Sequence, residues 1–138
     1  MLCCSISRQL TLKFVSMSRI LIVEDEALLA ESLSQFLHFA GHQVIAIAAD
    51  GASALREVAK ERPDLVLMDI RLGGGSDGIE TARRMQAAGR PLSVVFMSAH
   101  HDRETRARAA AVHPAGFIAK PFSPAQLLKA IAASDSSR

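Results

Sequence analysis

The 138-residue sequence has no tryptophan and no tyrosine, and phenylalanine supplies all six of its aromatic residues. Proteins that hold single-stranded nucleic acid need several exposed aromatic platforms, so this composition argues against that class. The two cysteines, Cys3 and Cys4, are adjacent. A disulfide framework or a four-ligand zinc site needs more cysteine at other spacings, and the expectation is a reducing cytoplasm. No apolar run reaches the roughly 18 residues that span a bilayer, so no membrane is expected as a partner. A strong charge excess is missing as well. The formal net charge is +2, and Arg8 and Lys13 supply all of it, so residues 19–138 balance. A balanced domain offers no broad positive field, and direct DNA binding is not expected.

What is present suits one folded domain. Hydrophobic residues make up 49% and charged residues 22%, a balance that supports a core and excludes a disordered chain. Residues 1–18 read as an N-terminal extension, disordered or a non-native start. Residues 1–16 share no periodicity with the rest of the chain, and Arg8 and Lys13 interrupt any signal-peptide core. Met17 stands directly before the first strand and offers an alternative start. Residues 19–134 form the domain, and 135–138 read as a short C-terminal tail.

Strand and helix patterns alternate five times. The runs 20–23, 65–68 and 94–97 are short and continuously apolar, as strands covered on both faces read. The weaker runs 44–48 and 116–119 suit sheet edges. Leu28, Leu29, Ser32, Leu33, Phe36, Leu37 and Ala40 trace one helix face, with Gly41 as its stop. Asp50 can cap a second helix that carries Ala54, Leu55, Val58 and Ala59. Ile79, Ala82 and Met85 mark a third, stopped by Gly89, and Asp102 can cap a fourth. Ser123 to Gln126 form a capping box with Pro124 at the first helical position, ahead of Leu127, Leu128 and Ile131. The expected fold is α/β, a doubly wound five-stranded parallel sheet with helices on both faces.

Ligands of such sheets bind beyond the carboxyl ends of the strands, so the residues there carry the functional question. The first strand ends in Glu24-Asp25-Glu26 where a nucleotide fold would place glycines. The glycines at 73–75 lie elsewhere and read as a flexible loop. The third strand ends in Asp69, the fourth in Ser98-Ala99, the fifth in Lys120-Pro121. If the first and third strands are neighbours, their carboxylates converge. Two like charges ~4 Å apart cost about 4 kcal/mol at an effective dielectric of 20, so the cluster calls for a cation or a lysine. An oxygen-only set suits Mg²⁺. A carboxylate can attack phosphorus, and a lysine, a hydroxyl and Mg²⁺ would stabilise the charge on the transferring oxygens.

Five segments carry a family resemblance: ILIVEDE (20–26), DLVLMDI (64–70), DGIE (77–80), VVFMSAH (94–100) and GFIAKPF (116–122). With these spacings the sequence resembles the receiver domain of two-component response regulators over nearly all of 19–133. The resemblance implies a flavodoxin-like sheet of order 2-1-3-4-5. It implies that Asp69 accepts a phosphoryl group from a phosphohistidine on a histidine kinase or a histidine phosphotransfer protein. Asp25 and Glu24 would hold Mg²⁺ with Asp69 and the backbone carbonyl of Arg71. Ser98 and Lys120 would contact the phosphoryl oxygens, and Ser98 with Phe117 would form a switch toward an unknown downstream protein target. Two departures stand out. Gly73 occupies a position where a proline is common, in a loop one residue longer than usual, and His113-Pro114 precedes the last strand in place of the usual Gly-Ala. The chain reads as a stand-alone receiver that is not an enzyme beyond its own phosphorylation and dephosphorylation.

Two roles fit this reading, a regulator with a phosphorylation-switched protein-binding face and a relay intermediate or phosphate sink. An Asp-nucleophile phosphatase is disfavoured, because no second Asp follows Asp69 two residues on and a covering cap has no room. His100-His101 and Arg103, Arg106 and Arg108 read as solvated, with docking as the arginines' alternative role. His38, His42 and His113 read as surface residues.

Overall fold

The computed structural model describes residues 17–136 other than Arg90 and His101. The N-terminal stretch 1–16, with Cys3 and Cys4, and His101 therefore lie outside the described residues. Five βα units run in order: β1 (Arg19–Val23), α1 (Ala27–Phe39), β2 (Gln43–Ala48), α2 (Gly51–Glu61), β3 (Leu65–Asp69), α3 (Gly78–Ala87), β4 (Ser93–Ser98), α4 (Arg103–Ala110), β5 (Gly116–Ala119) and α5 (Pro124–Ser136). A one-turn 3₁₀ segment, Gly73–Gly75, lies between β3 and α3. The strands are parallel in the order β2-β1-β3-β4-β5. This is the order and fold class expected from the sequence.

Each central strand buries both faces, because alternate side chains enter different cores. Leu21, Val23, Val66, Met68, Val94 and Phe96 pack with Ala54, Val58, Ile79, Ala82 and Met85 of α2 and α3. Ile20, Ile22, Leu65, Leu67, Val95 and Met97 pack on the other face with Ala30, Leu33 and Leu37 of α1 and Leu127 and Ile131 of α5. The continuous apolar runs of 20–23, 65–68 and 94–97 therefore follow from a sheet covered on both sides.

Local chemistry ends and starts the helices as expected. Asp50 accepts from the Ser53 N–H at 2.8 Å and Asp102 from the Thr105 N–H at 2.9 Å. Ser123 Oγ accepts from the Gln126 N–H at 3.1 Å while Gln126 Oε1 accepts from the Ser123 N–H at 2.8 Å, a reciprocal capping box. Gly41, with φ +97°, follows α1 in the left-handed region that glycine enters freely.

Several expectations need correction. Leu28 is 83% exposed, and the buried stripe of α1 is Ala30, Leu33 and Leu37. Leu28 stands two residues before Ala30, about 200° around the helix axis, and so faces away from the buried stripe. Ala59 on α2 is likewise exposed. His42 is buried rather than superficial, and its Nδ1 accepts from the Ser18 N–H at 3.1 Å. Ser18, directly before β1, is buried too. Finally, α5 continues to Ser136, two residues into the expected tail.

Candidate functional site

Register places the functional residues. β1 and β3 pair Val23 with Met68, so the next residues, Glu24 and Asp69, leave the sheet side by side. β3 and β4 pair Asp69 with Met97, and β4 and β5 pair Ser98 with Ala119. The Lys120 N–H then donates to the Ser98 carbonyl at 2.8 Å, which carries the ladder one residue further. Four strand ends thus deliver Glu24, Asp69, Ser98 and Lys120 to one edge.

Carboxylate oxygens of Glu24, Asp25 and Asp69 lie within 4.8 Å of one another. Glu24 is almost fully buried and Asp25 is exposed, so the cluster is open to solvent on one side. Lys120 Nζ donates to Glu24 Oε2 at 2.9 Å and to Asp69 Oδ2 at 3.1 Å. Burial is the main reason that the Glu24 carboxyl is pushed up to about 7, with neighbouring Asp69 adding to it and Lys120 opposing. Burial works against the Lys120 ammonium, but its bond to Glu24 and the attraction of Asp69 prevail and raise its pKa. One part-buried lysine therefore leaves the carboxylates short of positive charge. A hard divalent cation fits an all-oxygen donor set of this kind, and Mg²⁺ suits it with water at the open positions.

The loop that follows Asp69 is held from several directions. The Arg71 N–H donates to Asp69 Oδ1 at 3.3 Å. An antiparallel bridge joins Arg71 to Asp77, and the Leu72 N–H donates to the Ser76 carbonyl at 3.2 Å. Gly74 and Gly75 have φ of +69° and +76°, so the three glycines make the tight return. The Gly78 N–H donates to the Ile70 carbonyl at 2.7 Å. A Cβ on Gly78 would stand 2.1 Å from the Asp69 carbonyl oxygen, so only glycine permits this approach.

Ser98 and Phe117 stand where the sequence put them. The Ser98 hydroxyl is engaged within its own turn: it donates to the His100 carbonyl at 2.9 Å and accepts from the His100 N–H at 2.8 Å. Phe117 pairs with Phe96 across β4 and β5 and packs against the core on the α2–α3 face. The Arg106 guanidinium lies 4.8 Å from the centre of its ring. Arg108 pairs with Asp77. Sequence reasoning treated these two arginines as a solvated face or a docking surface and missed both contacts. The Lys120-Pro121 bond is cis. Among the described residues, no helix is long and apolar enough to cross a membrane.

The response regulator receiver domain family matches residues 20–132. The chain belongs to that family. Receiver domains in general take their phosphoryl group from a histidine kinase partner. The receiver is 34% identical over 113 residues to the transcriptional regulatory protein PdtaR of Mycobacterium tuberculosis, covering 82% of this chain and 54% of that one. It is 33% identical over 115 residues to the response regulator MprA of Mycobacterium leprae, covering 83% and 50%. The chain thus spans about half the length of the curated relatives it matches. Among solved structures, it matches the signal receiver domain of a modulated diguanylate cyclase from Desulfovibrio desulfuricans with a TM-score of 0.79 at 37% identity, over 88% of this chain and 95% of that one. A two-component response regulator of the LuxR family from Aurantimonas gives a TM-score of 0.81 at 28% identity, over 88% and 87%.

Proposed function

We propose that this receiver accepts a phosphoryl group on Asp69 from a phosphohistidine of a histidine kinase or histidine phosphotransfer protein, and that it signals by changing a protein-binding face. The observation that carries the reading is the convergence of Lys120, Glu24 and Asp69, with both carboxylates in hydrogen-bond reach of one ammonium.

An Asp69 carboxylate oxygen attacks phosphorus, the phosphorus–nitrogen bond of the donor breaks, and its electron pair returns to the imidazole. The product is an acyl phosphate. The Arg71 N–H orients the attacking carboxylate through Oδ1. Lys120 follows the charge from the carboxylate onto the phosphoryl oxygens. Ser98 would exchange its bond to the His100 carbonyl for one to a phosphoryl oxygen, a charge-assisted and therefore stronger partner. Glu24, Asp25, Asp69 and the Arg71 carbonyl would hold Mg²⁺, which when bound neutralises charge on the transferring group. The domain catalyses nothing beyond its own phosphorylation and dephosphorylation.

Movement of Ser98 leaves room behind β4 that Phe117 can take by turning inward. That change would be read on α4, β5 and α5 by a downstream protein, without direct DNA contact by this domain. The seat of Arg106 on Phe117 supports this face over a relay or sink role, because it joins α4 to the switch residue.

The test is transfer from a phosphorylated histidine kinase domain. The expected product is an Asp69 acyl phosphate that hydroxylamine removes. Stable label on serine or histidine would refute the assignment.

A further inference from the structure

Only Ala109 of α4 is buried, so little apolar packing fixes this helix, and its side-chain contacts with other elements matter more. One of them reaches the acceptor loop. Asp77 closes that loop by its bridge to Arg71 and caps α3 by accepting from the Ile79 N–H at 2.8 Å. Its second carboxylate oxygen accepts from Arg108 Nη2 on α4. Arg71, across the bridge, donates its N–H to Asp69 Oδ1. A chain of contacts therefore runs from Arg108 through Asp77 and Arg71 to the phosphoacceptor.

The loop needs such an anchor. Its three consecutive glycines lower the strain of the return but contribute no side chains to fix it. Both ends are tied by backbone bonds, while Ser76 and Asp77 are only part-buried. Although burial works against it, the Asp77 carboxylate is held below its usual pKa by Arg108 and the Ile79 N–H, so the pair stays ionised at neutral pH.

We propose that Arg108 is a positioning residue for the acceptor loop: by holding Asp77 it fixes the Arg71 segment, and so ties the cation and phosphoryl site to the placement of α4. This rests on the proposed Mg²⁺ and phosphoacceptor site. The coupling is reciprocal. A protein partner that seats on α4 and draws Arg108 away loosens the loop at Arg71. A cation or phosphoryl group that fixes the loop holds Arg108 and α4 in turn.

The sign of one measurement separates positioning from plain electrostatics. Removing a positive charge close to a cation site should tighten Mg²⁺ by Coulomb's law alone. Loss of positioning should weaken it. Mg²⁺ is titrated into the full chain, and amide shifts at 24, 25 and 69–78 are followed by NMR for wild type, Arg108→Gln, Arg108→Lys, Asp77→Asn and the Arg108→Gln, Asp77→Asn double variant. Asn keeps the helix cap, so Asp77→Asn removes the charge and not the cap.

The expected result is a dissociation constant raised about 2- to 5-fold in Arg108→Gln, the range of a partly exposed ion pair. Arg108→Lys should recover part of the loss. Arg108→Gln should add nothing in the Asp77→Asn background, because the two act as one unit. An unchanged or tightened constant in Arg108→Gln, or an equal effect in both backgrounds, overturns the positioning role. Wild-type protein with no Mg²⁺-dependent shifts at 24, 25 and 69 would overturn the reading of the site itself.

Discussion

Lys120 Nζ stands 2.9 Å from Glu24 Oε2, although 96 residues separate the two in the chain. The pair exists because β5 and β1 end at the same edge of the sheet, with β3 and β4 between them. The same ammonium reaches Asp69, so one cation serves two carboxylates before any phosphoryl group arrives. Lys120→Met should leave the cluster with its negative charge uncompensated. Mg²⁺ should still bind, while the initial rate of Asp69 phosphorylation should fall about 100-fold, as when one preorganised donor to a transition-state oxygen is removed. Rates from intact-mass time courses check this.

Glu24 gives a pH signature. Its folded carboxyl titrates near 7 against an ordinary value of 4.5, so the native state holds a proton that the unfolded chain has released. Stability from this residue is therefore present below pH 4.5 and is lost as the pH climbs toward 7. Without Mg²⁺, the thermal midpoint of wild type should fall relative to Glu24→Gln across that window. Saturating Mg²⁺, which binds the deprotonated form, should reduce the fall. Parallel midpoints of the two proteins from pH 4.5 to 7 would remove Glu24 as the cause.

Two leucines of α1 should behave oppositely. Leu37→Ala empties a fully buried place and should cost about 2–5 kcal/mol. Leu28→Ala removes an exposed side chain and should stay within about 0.5 kcal/mol. Chemical denaturation of both variants measures the difference.

Gly78→Ala should destabilise the domain by more than ~2 kcal/mol, since the added methyl meets the backbone of Asp69 rather than a flexible side chain. Phosphorylation should fall with it, because the displaced group is the proposed acceptor residue itself. Denaturant midpoints and phosphorylation rates of the same preparation check both effects.

Much of this architecture was legible in the sequence. Runs such as 65–68 are apolar at every position, as strands covered on both faces read. A carboxylate directly after such a run reads as standing at a strand end, which is why Glu24 and Asp69 could be named, and the weaker edge run 116–119 placed Lys120 in the same way. Leu28 was misplaced because periodicity counts an apolar residue as inward-facing. The docking of α1 through Ala30, Leu33 and Leu37 decides the face instead. His42 gave no signal, since its burial depends on Ser18, which lies just before β1 and 24 residues away in the chain. The contacts of Arg106 with Phe117 and of Arg108 with Asp77 join residues from different βα units. No local pattern encodes such pairs, and an arginine on an exposed helix reads the same whether or not it has a partner.

The central claim is that Asp69 is the phosphoacceptor of a Mg²⁺-dependent site. Its most direct measurement is the intact mass of wild type and Asp69→Asn after incubation with acetyl phosphate, each with Mg²⁺ and with a chelator. Wild type should gain the mass of one phosphoryl group with Mg²⁺ and little with chelator, and Asp69→Asn should gain none. A full phosphoryl gain in Asp69→Asn, or equal gains of wild type with and without Mg²⁺, would contradict it.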